Sequence, residues 1–294
     1  MKHTISCYGT SLSADTRGAE LCSYTDVHGC ERLWEGDPSI WPGHAPVLFP
    51  IVGAPVNHQV RFAGQTYPIH KHGFMMMREF TLVEQGNDFL HFSVSADDQT
   101  LRSYPYAFRL HIQHTLLPQG FSTKFCIQNE DTRPMPYCIG GHPGFRCPME
   151  PGAAFEDYLL RFEKPENGQI AICPDGELIR GHEVLSPLAG GRELPLHHSY
   201  FDEKDALIFT SLASRQVDLI HRKSQKGIRF RFDDFDVLGV WTKPGARADY
   251  LCLEPWVGLN AYEGESGDFE QKPFVRTVLP GQSHRLVFTA SILE

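Results

Sequence analysis

Arg109-Leu110-His111-Ile112-Gln113-His114-Thr115-Leu116 sets Leu110, Ile112 and Leu116 on one face of an extended chain and Arg109, His111, Gln113 and Thr115 on the other. After the turn Leu117-Pro118-Gln119-Gly120 the pattern resumes in 121–129, with Phe121, Phe125 and Ile127 against Ser122, Lys124 and Gln128. A repeat of two is that of a strand with one buried face, and two such strands around a short turn read as a hairpin. The signal recurs outward in both directions. Residues 80–83 and 89–94 flank Gly86-Asn87, and 60–62 and 66–69 flank Ala63-Gly64, each a short-loop hairpin. Residues 228–232, 250–254 and 285–292 carry the pattern to the C-terminus. Helical periodicity is scarce, and no linker, low-complexity stretch or fixed-period repeat divides the chain. The expectation is an all-β fold, one large antiparallel β-sandwich domain spanning residues 1–294.

Composition narrows the function. Of the 294 residues 41% are hydrophobic and 21% charged, as in globular proteins, and 26 Gly with 21 Pro supply many turns. A formal net charge of −9 argues against a partner bound through phosphates, whether nucleic acid or an anionic membrane surface. A small neutral ligand fits better. The opening MKHTISCYGT has no apolar core of signal-peptide length and no window reaches a membrane span, so the cytoplasm is the expected location. Eight cysteines without one CxxC pair exclude a zinc ribbon or a thioredoxin-like motif. Cys126 in KFCIQ and Cys252 in YLCLE, set among apolar neighbours, are expected to be small buried hydrophobes.

Three segments join an apolar strand to Gly or Pro and place an ionisable side chain at the junction: Ile69–Phe74, Ile139–Phe145 and Leu251–Gly258. Strand ends and their loops are where β proteins display binding and catalytic groups. His142 lies between Gly140-Gly141 and Pro143-Gly144; it either serves chemistry or hydrogen-bonds its own turn. Glu254 is read as the end of an apolar strand, because Pro255 lacks an N–H, and period two puts it on the face of Tyr250 and Cys252, part-buried. The alternative for Glu254 is a structural ion pair.

LWEGDP at 33–38 through Trp41, APVLFPIVG at 45–53, HGF at 72–74, SYPY at 103–106, GGHPGF at 140–145, DALIF at 205–209 and LEPWVG at 253–258 together resemble the aldose 1-epimerase family, closest to its bacterial LacX-like branch. The resemblance covers nearly the whole chain and implies a galactose-mutarotase-like β-supersandwich. It implies that His142 is the general acid and Glu254 the general base, that His72 and Asp205 bind sugar, and that Trp256 forms a wall for the ring, with a plain core role for Trp256 as the alternative. No metal or organic cofactor is implied. Where many relatives carry arginine, this chain has Ala54 and Met76; Arg78 lies near the second gap but out of step with it.

The implied reaction is anomer interconversion: a proton leaves the C1 hydroxyl, another reaches the ring oxygen, the ring opens, C1–C2 rotates and the ring recloses on the other face. Acid and base are expected on opposite sides of the hemiacetal. A carboxylate and an imidazole provide both near neutral pH with small shifts from their ordinary values. Three other readings stay open. His70-x-His72 puts two imidazoles on one strand face, as in a cupin-type metal site, although the first following carboxylate is Glu79. A non-catalytic sugar-binding protein would keep the fold without the arginines. A hexose-6-phosphate 1-epimerase would need charge-assisted phosphate contacts that Ala54 and Met76 do not offer. Met75-Met76-Met77 is read as adaptable apolar filling, or else as a softened pocket rim.

Overall fold

A computed structural model describes residues 1–294. The hairpin forms from Phe108–Leu117 and Gly120–Asn129, with Arg109 opposite Gln128 and Thr115 opposite Ser122. In that register Leu110, Ile112, Leu116, Phe121, Phe125 and Ile127 all lose contact with solvent. The hairpin lies within a nine-stranded antiparallel sheet, flanked by Phe89–Ser95 on one side and Ser283–Leu293 on the other. A second sheet of eight strands has Tyr250–Val257 near its middle, between Val237–Trp241 and the short strands Ile139–Gly141 and Gly144–Arg146.

The two sheets pack face to face. Phe145 of the second sheet stacks on Phe121 at 6.5 Å and meets Phe230 edge-on at 5.9 Å, both from the first. One hydrophobic cluster of 71 buried residues joins them. No helix is long and apolar enough to cross a membrane.

Two expectations are corrected. Cys126 is half-buried rather than buried, because period two sets it out of phase with Phe125 and Ile127; Cys252 is fully buried. The strand at Tyr250 does not end at Glu254 but continues to Val257. One α-helix, His198–Lys204, has only seven residues, too short for a helical period to show in the sequence.

The core face of the hairpin also carries His114. Its Nε2 meets the Ala19 carbonyl at 2.8 Å and its Nδ1 meets Thr123 Oγ1 at 2.9 Å. A carbonyl only accepts, so Nε2 carries the proton and Nδ1 accepts from the threonine hydroxyl, a fully satisfied neutral imidazole. Burial pushes its pKa down to about 4. The unfolded chain takes up a proton below the ordinary histidine value of about 6.5, whereas the folded chain refuses it until about 4. The contribution of His114 to stability is therefore whole above pH 6.5 and is lost as pH falls toward 4, by about 3 kcal/mol at most. We expect urea unfolding at pH 7 and pH 4.5 to show a loss about 2 kcal/mol smaller in His114→Gln than in the parent chain. Equal losses in the two proteins would mean that His114 is not held neutral.

Candidate active site

All eight residues of Tyr250–Val257 are buried. On one edge this strand pairs continuously with Val237–Trp241. On the other, Gly144–Arg146 pairs with Tyr250–Cys252, and Ile139 and Gly140 pair with Val257 and Trp256. His142 and Pro143 occupy the gap between these two short strands. The Leu253 N–H donates to the Pro143 carbonyl at 3.1 Å, and the His142 N–H to the Pro46 carbonyl at 3.0 Å. Two residues beyond Leu253, Pro255 faces the same edge. The register is the same on both sides of the gap, Gly140 opposite Trp256 and Gly144 opposite Cys252, so Pro255 falls opposite Gly141 and its missing N–H lies where the pairing is interrupted.

That register sets His142 directly opposite Glu254, with Nε2 and Oε2 3.1 Å apart. Their side chains are 12% and 2% exposed. The contact is a close approach rather than an aligned hydrogen bond, since Glu254 Oε2 and His142 Nδ1 are both buried without a hydrogen-bond partner. Burial raises the Glu254 pKa well above the carboxylate range; Lys71 pulls it back and Asp205 pushes it further up. Burial pushes His142 down to about 3, and Lys71 adds to this. The small shifts expected from the sequence are therefore replaced by large ones in opposite directions. The pair favours a state with one proton held between two nominally neutral groups, a coupled titration rather than two independent ones.

His72 and Asp205 enter the same cavity from unusual backbone. His72 has φ +64° and exchanges contacts with Gly53: its N–H donates to the Gly53 carbonyl at 2.9 Å, and its Nδ1 accepts the Gly53 N–H at 3.1 Å. That acceptor role leaves the ring proton on Nε2. Burial, then His142 and Lys71, lower its pKa well below the ordinary value. Asp205 caps the helix His198–Lys204 with φ +62° and ψ −62°, its N–H reaching the Phe201 carbonyl at 2.9 Å. This is the strained γ-turn conformation, rare outside glycine and recurrent at functional sites. Burial raises the Asp205 pKa, with Lys71 and the Trp241 indole offsetting part of the rise.

These four side chains and Trp256 line one cavity of about 230 Å³ together with Lys71, Trp41, Trp241 and Asn260. Trp41 lies 5.0 Å and Trp241 5.6 Å from the His142 ring. Trp256 is both a wall of this cavity and a packed aromatic. A Cβ on Gly140 would lie 2.6 Å from its indole and one on Gly239 2.8 Å, so the ring fits only between two glycines of the neighbouring strands.

Sequence reasoning missed Lys71, Trp241 and Asn260. Lys71 was visible only as the middle residue of His70-Lys71-His72, and that segment is a turn, not a strand; His70 faces solvent while His72 turns inward, so the two imidazoles do not share a strand face. Asn260 ties the cavity floor, its amide donating to the carbonyls of Gly176 and Glu177 at 3.0 and 2.8 Å. Ala54, Met76 and Arg78 lie outside the lining. Ala54 is buried, Met75 fills the core and Met77 is exposed. Arg78 is engaged with Asp97 and Gln99. Lys71, not Arg78, is the lysine or arginine of the cavity. His142 and Glu254 lie side by side, too close for a sugar ring to fit between them.

A family model described as aldose 1-epimerase matches residues 2–271. Protein LacX of Lactococcus lactis subsp. lactis, in its plasmid form, is 37% identical over 286 residues, 95% of each chain. Among solved structures, a galactose mutarotase-like protein from Lactobacillus casei superposes with a TM-score of 0.93 at 27% identity, covering 100% of both chains. A galactose mutarotase related enzyme from Lactobacillus acidophilus gives 0.92 at 26%, covering 100% of this chain and 98% of that one.

The fit of Trp256 between two glycines has a measurable consequence. Gly239→Ala should overpack the site and lower stability by about 1–3 kcal/mol in urea unfolding. Tryptophan emission of the folded variant should shift, because the indole must move. An unchanged unfolding midpoint would show that Trp256 is not confined as described.

Proposed function

The chain belongs to the aldose 1-epimerase family, and from this premise we propose that it interconverts the α and β anomers of an aldose, with His142 and Glu254 as the proton-transfer pair. The observation that carries the proposal is the 3.1 Å approach of two buried ionisable groups inside a cavity walled by indoles. In the reactive arrangement Glu254 is the carboxylate and His142 the imidazolium. This holds the same number of protons as the neutral pair, and the Lys71 ammonium favours the carboxylate. The anomeric hydroxyl and the ring oxygen sit on one carbon, so groups about 3 Å apart reach both from a single edge. Glu254 takes the C1 hydroxyl proton as His142 protonates the ring oxygen, and the C1–O5 bond opens to the aldehyde. Rotation about C1–C2 presents the other carbonyl face, and the reverse transfers close the ring and restore the pair.

Asp205 accepts from sugar hydroxyls, and His72 offers its Nε2–H. The indoles of Trp41, Trp241 and Trp256 cover apolar faces of the ring and keep water from the pair. A neutral aldose suits this cavity better than a sugar phosphate: Lys71 is its lysine or arginine, and it already faces Glu254 and Asp205.

Glu254→Gln keeps shape but cannot accept the proton, and we expect kcat to fall about 100-fold or more with little change in sugar affinity. His142→Ala should cost a similar factor and the double variant little more, because the two act as a unit. Asp205→Asn and His72→Ala should act mainly through KM. Saturation-transfer NMR of anomer exchange decides the matter: an active Glu254→Gln protein places the base elsewhere, and a parent chain that binds aldoses without exchanging their anomers is a binding protein.

The pKa directions also fix the pH profile. Below the lowered His142 value, about 3, the pair takes a second proton; above the raised Glu254 value it loses the shared one. kcat/KM should therefore stay level through pH 6.5, with its acid limb well below the ordinary histidine value. A limb centred near 6.5 would show an imidazole that titrates as if exposed.

A further inference from the structure

Cys252 takes no part in the proposed chemistry, yet it lies two residues before Glu254 on the same strand face. Its sulfur, a ring nitrogen of His142 and a carboxylate oxygen of Glu254 all lie within 4.8 Å of one another. Two polar atoms here are buried without partners, Glu254 Oε2 and His142 Nδ1. We propose that His142, Cys252 and Glu254 form a binding site for a borderline-soft divalent cation of the zinc type, and that such a cation inhibits the protein by occupying the proton-transfer pair.

The donor set selects this class. Nitrogen, thiolate and carboxylate oxygen are the ligands of zinc, at about 2.0–2.3 Å, and three protein ligands leave a fourth position for water from the cavity. The 3.1 Å between His142 Nε2 and Glu254 Oε2 matches two neighbouring ligands of a tetrahedral ion. Magnesium and calcium need several oxygens, and only one carboxylate belongs to this set. Binding releases the thiol proton and the proton of the pair to solvent, leaving thiolate, neutral imidazole and carboxylate on the ion. Lys71 opposes the added charge, which keeps the site reversible rather than a permanent metal centre. Metal and aldose exclude one another because both need His142 and Glu254; that exclusion rests on the proposed function, whereas the binding does not.

Cobalt(II) is the direct probe, since a cobalt–thiolate bond gives a near-ultraviolet charge-transfer band. The parent chain should bind one Co²⁺ with that band, and Zn²⁺ should displace it. Cys252→Ala removes a small buried group that touches no substrate, so anomer exchange should stay within about two-fold. It should lose the band and raise the inhibitory Zn²⁺ concentration at least about 10-fold, as loss of a ligand requires. Cys252→Ser serves the same purpose if the alanine variant folds poorly. A band that persists in both variants, from exposed Cys30 or half-buried Cys126, would overturn the site, as would no band in the parent chain or equal inhibition by Mg²⁺. The band is read without any turnover, so a chain that binds Co²⁺ through Cys252 but exchanges no anomers would sink the epimerase reading and leave the metal site standing.

Discussion

The arrangement depends on one constraint: Tyr250–Val257 is buried along its whole length, so every backbone polar group on it must be paired or be absent. Pairing on the edge toward Ile139–Arg146 is interrupted once, at His142-Pro143. That interruption coincides with Pro255, the residue that has no N–H to leave unpaired. A proline on one strand and an in-register break in the pairing of the next are thus two halves of one solution. It turns the His142 imidazole toward Glu254 without exposing either strand to water.

Holding four ionisable side chains in this cavity is costly, and the surroundings show where the cost is met. Glu254, Asp205, His142 and His72 are all driven toward their neutral forms by burial. Lys71 is the counterweight, since it draws the two carboxyl groups back toward ionisation while adding to the depression of the imidazoles. The aromatic wall of Trp41, Trp241 and Trp256 keeps the local dielectric low, which strengthens each of these effects. Burial of this kind is affordable only because a large apolar core supports it from behind, where Phe121, Phe145 and Phe230 lock the sheets together.

Strain is concentrated in the same place. His72 and Asp205 both hold positive φ, at a cost of order 1–3 kcal/mol for each such residue. The Gly53 reciprocal bonds hold the first, and the end of a short helix holds the second. Each side chain is therefore aimed into the cavity by backbone that is itself tied down, as the proposed contacts to sugar hydroxyls require. The histidine of the hairpin core is the contrast. His114 is more deeply buried than either, yet both its nitrogens are satisfied and it lies outside the cavity.

Alternation of apolar and polar residues was enough to read an antiparallel β protein from 109–129 outward, because side-chain facing in a strand is a local property. Gly and Pro around His142, and Pro after Glu254, marked both residues because backbone distortion is also written locally. The reading failed where neighbours come from far along the chain. The extent of Tyr250–Val257 past Pro255 depended on Ile139 and Gly140 resuming the pairing opposite Val257 and Trp256. The place of Lys71, the boxing of His142 by Trp41 and Trp241, and the closeness of Cys252 to the pair depend on segments up to about 200 residues apart meeting on one sheet face. So does the depth of burial that moves Glu254 and His142 in opposite directions. Local pattern determined which residues were equipped for chemistry; strand order and the two-sheet packing decided which of them touch, because contact and desolvation are properties of the assembled core.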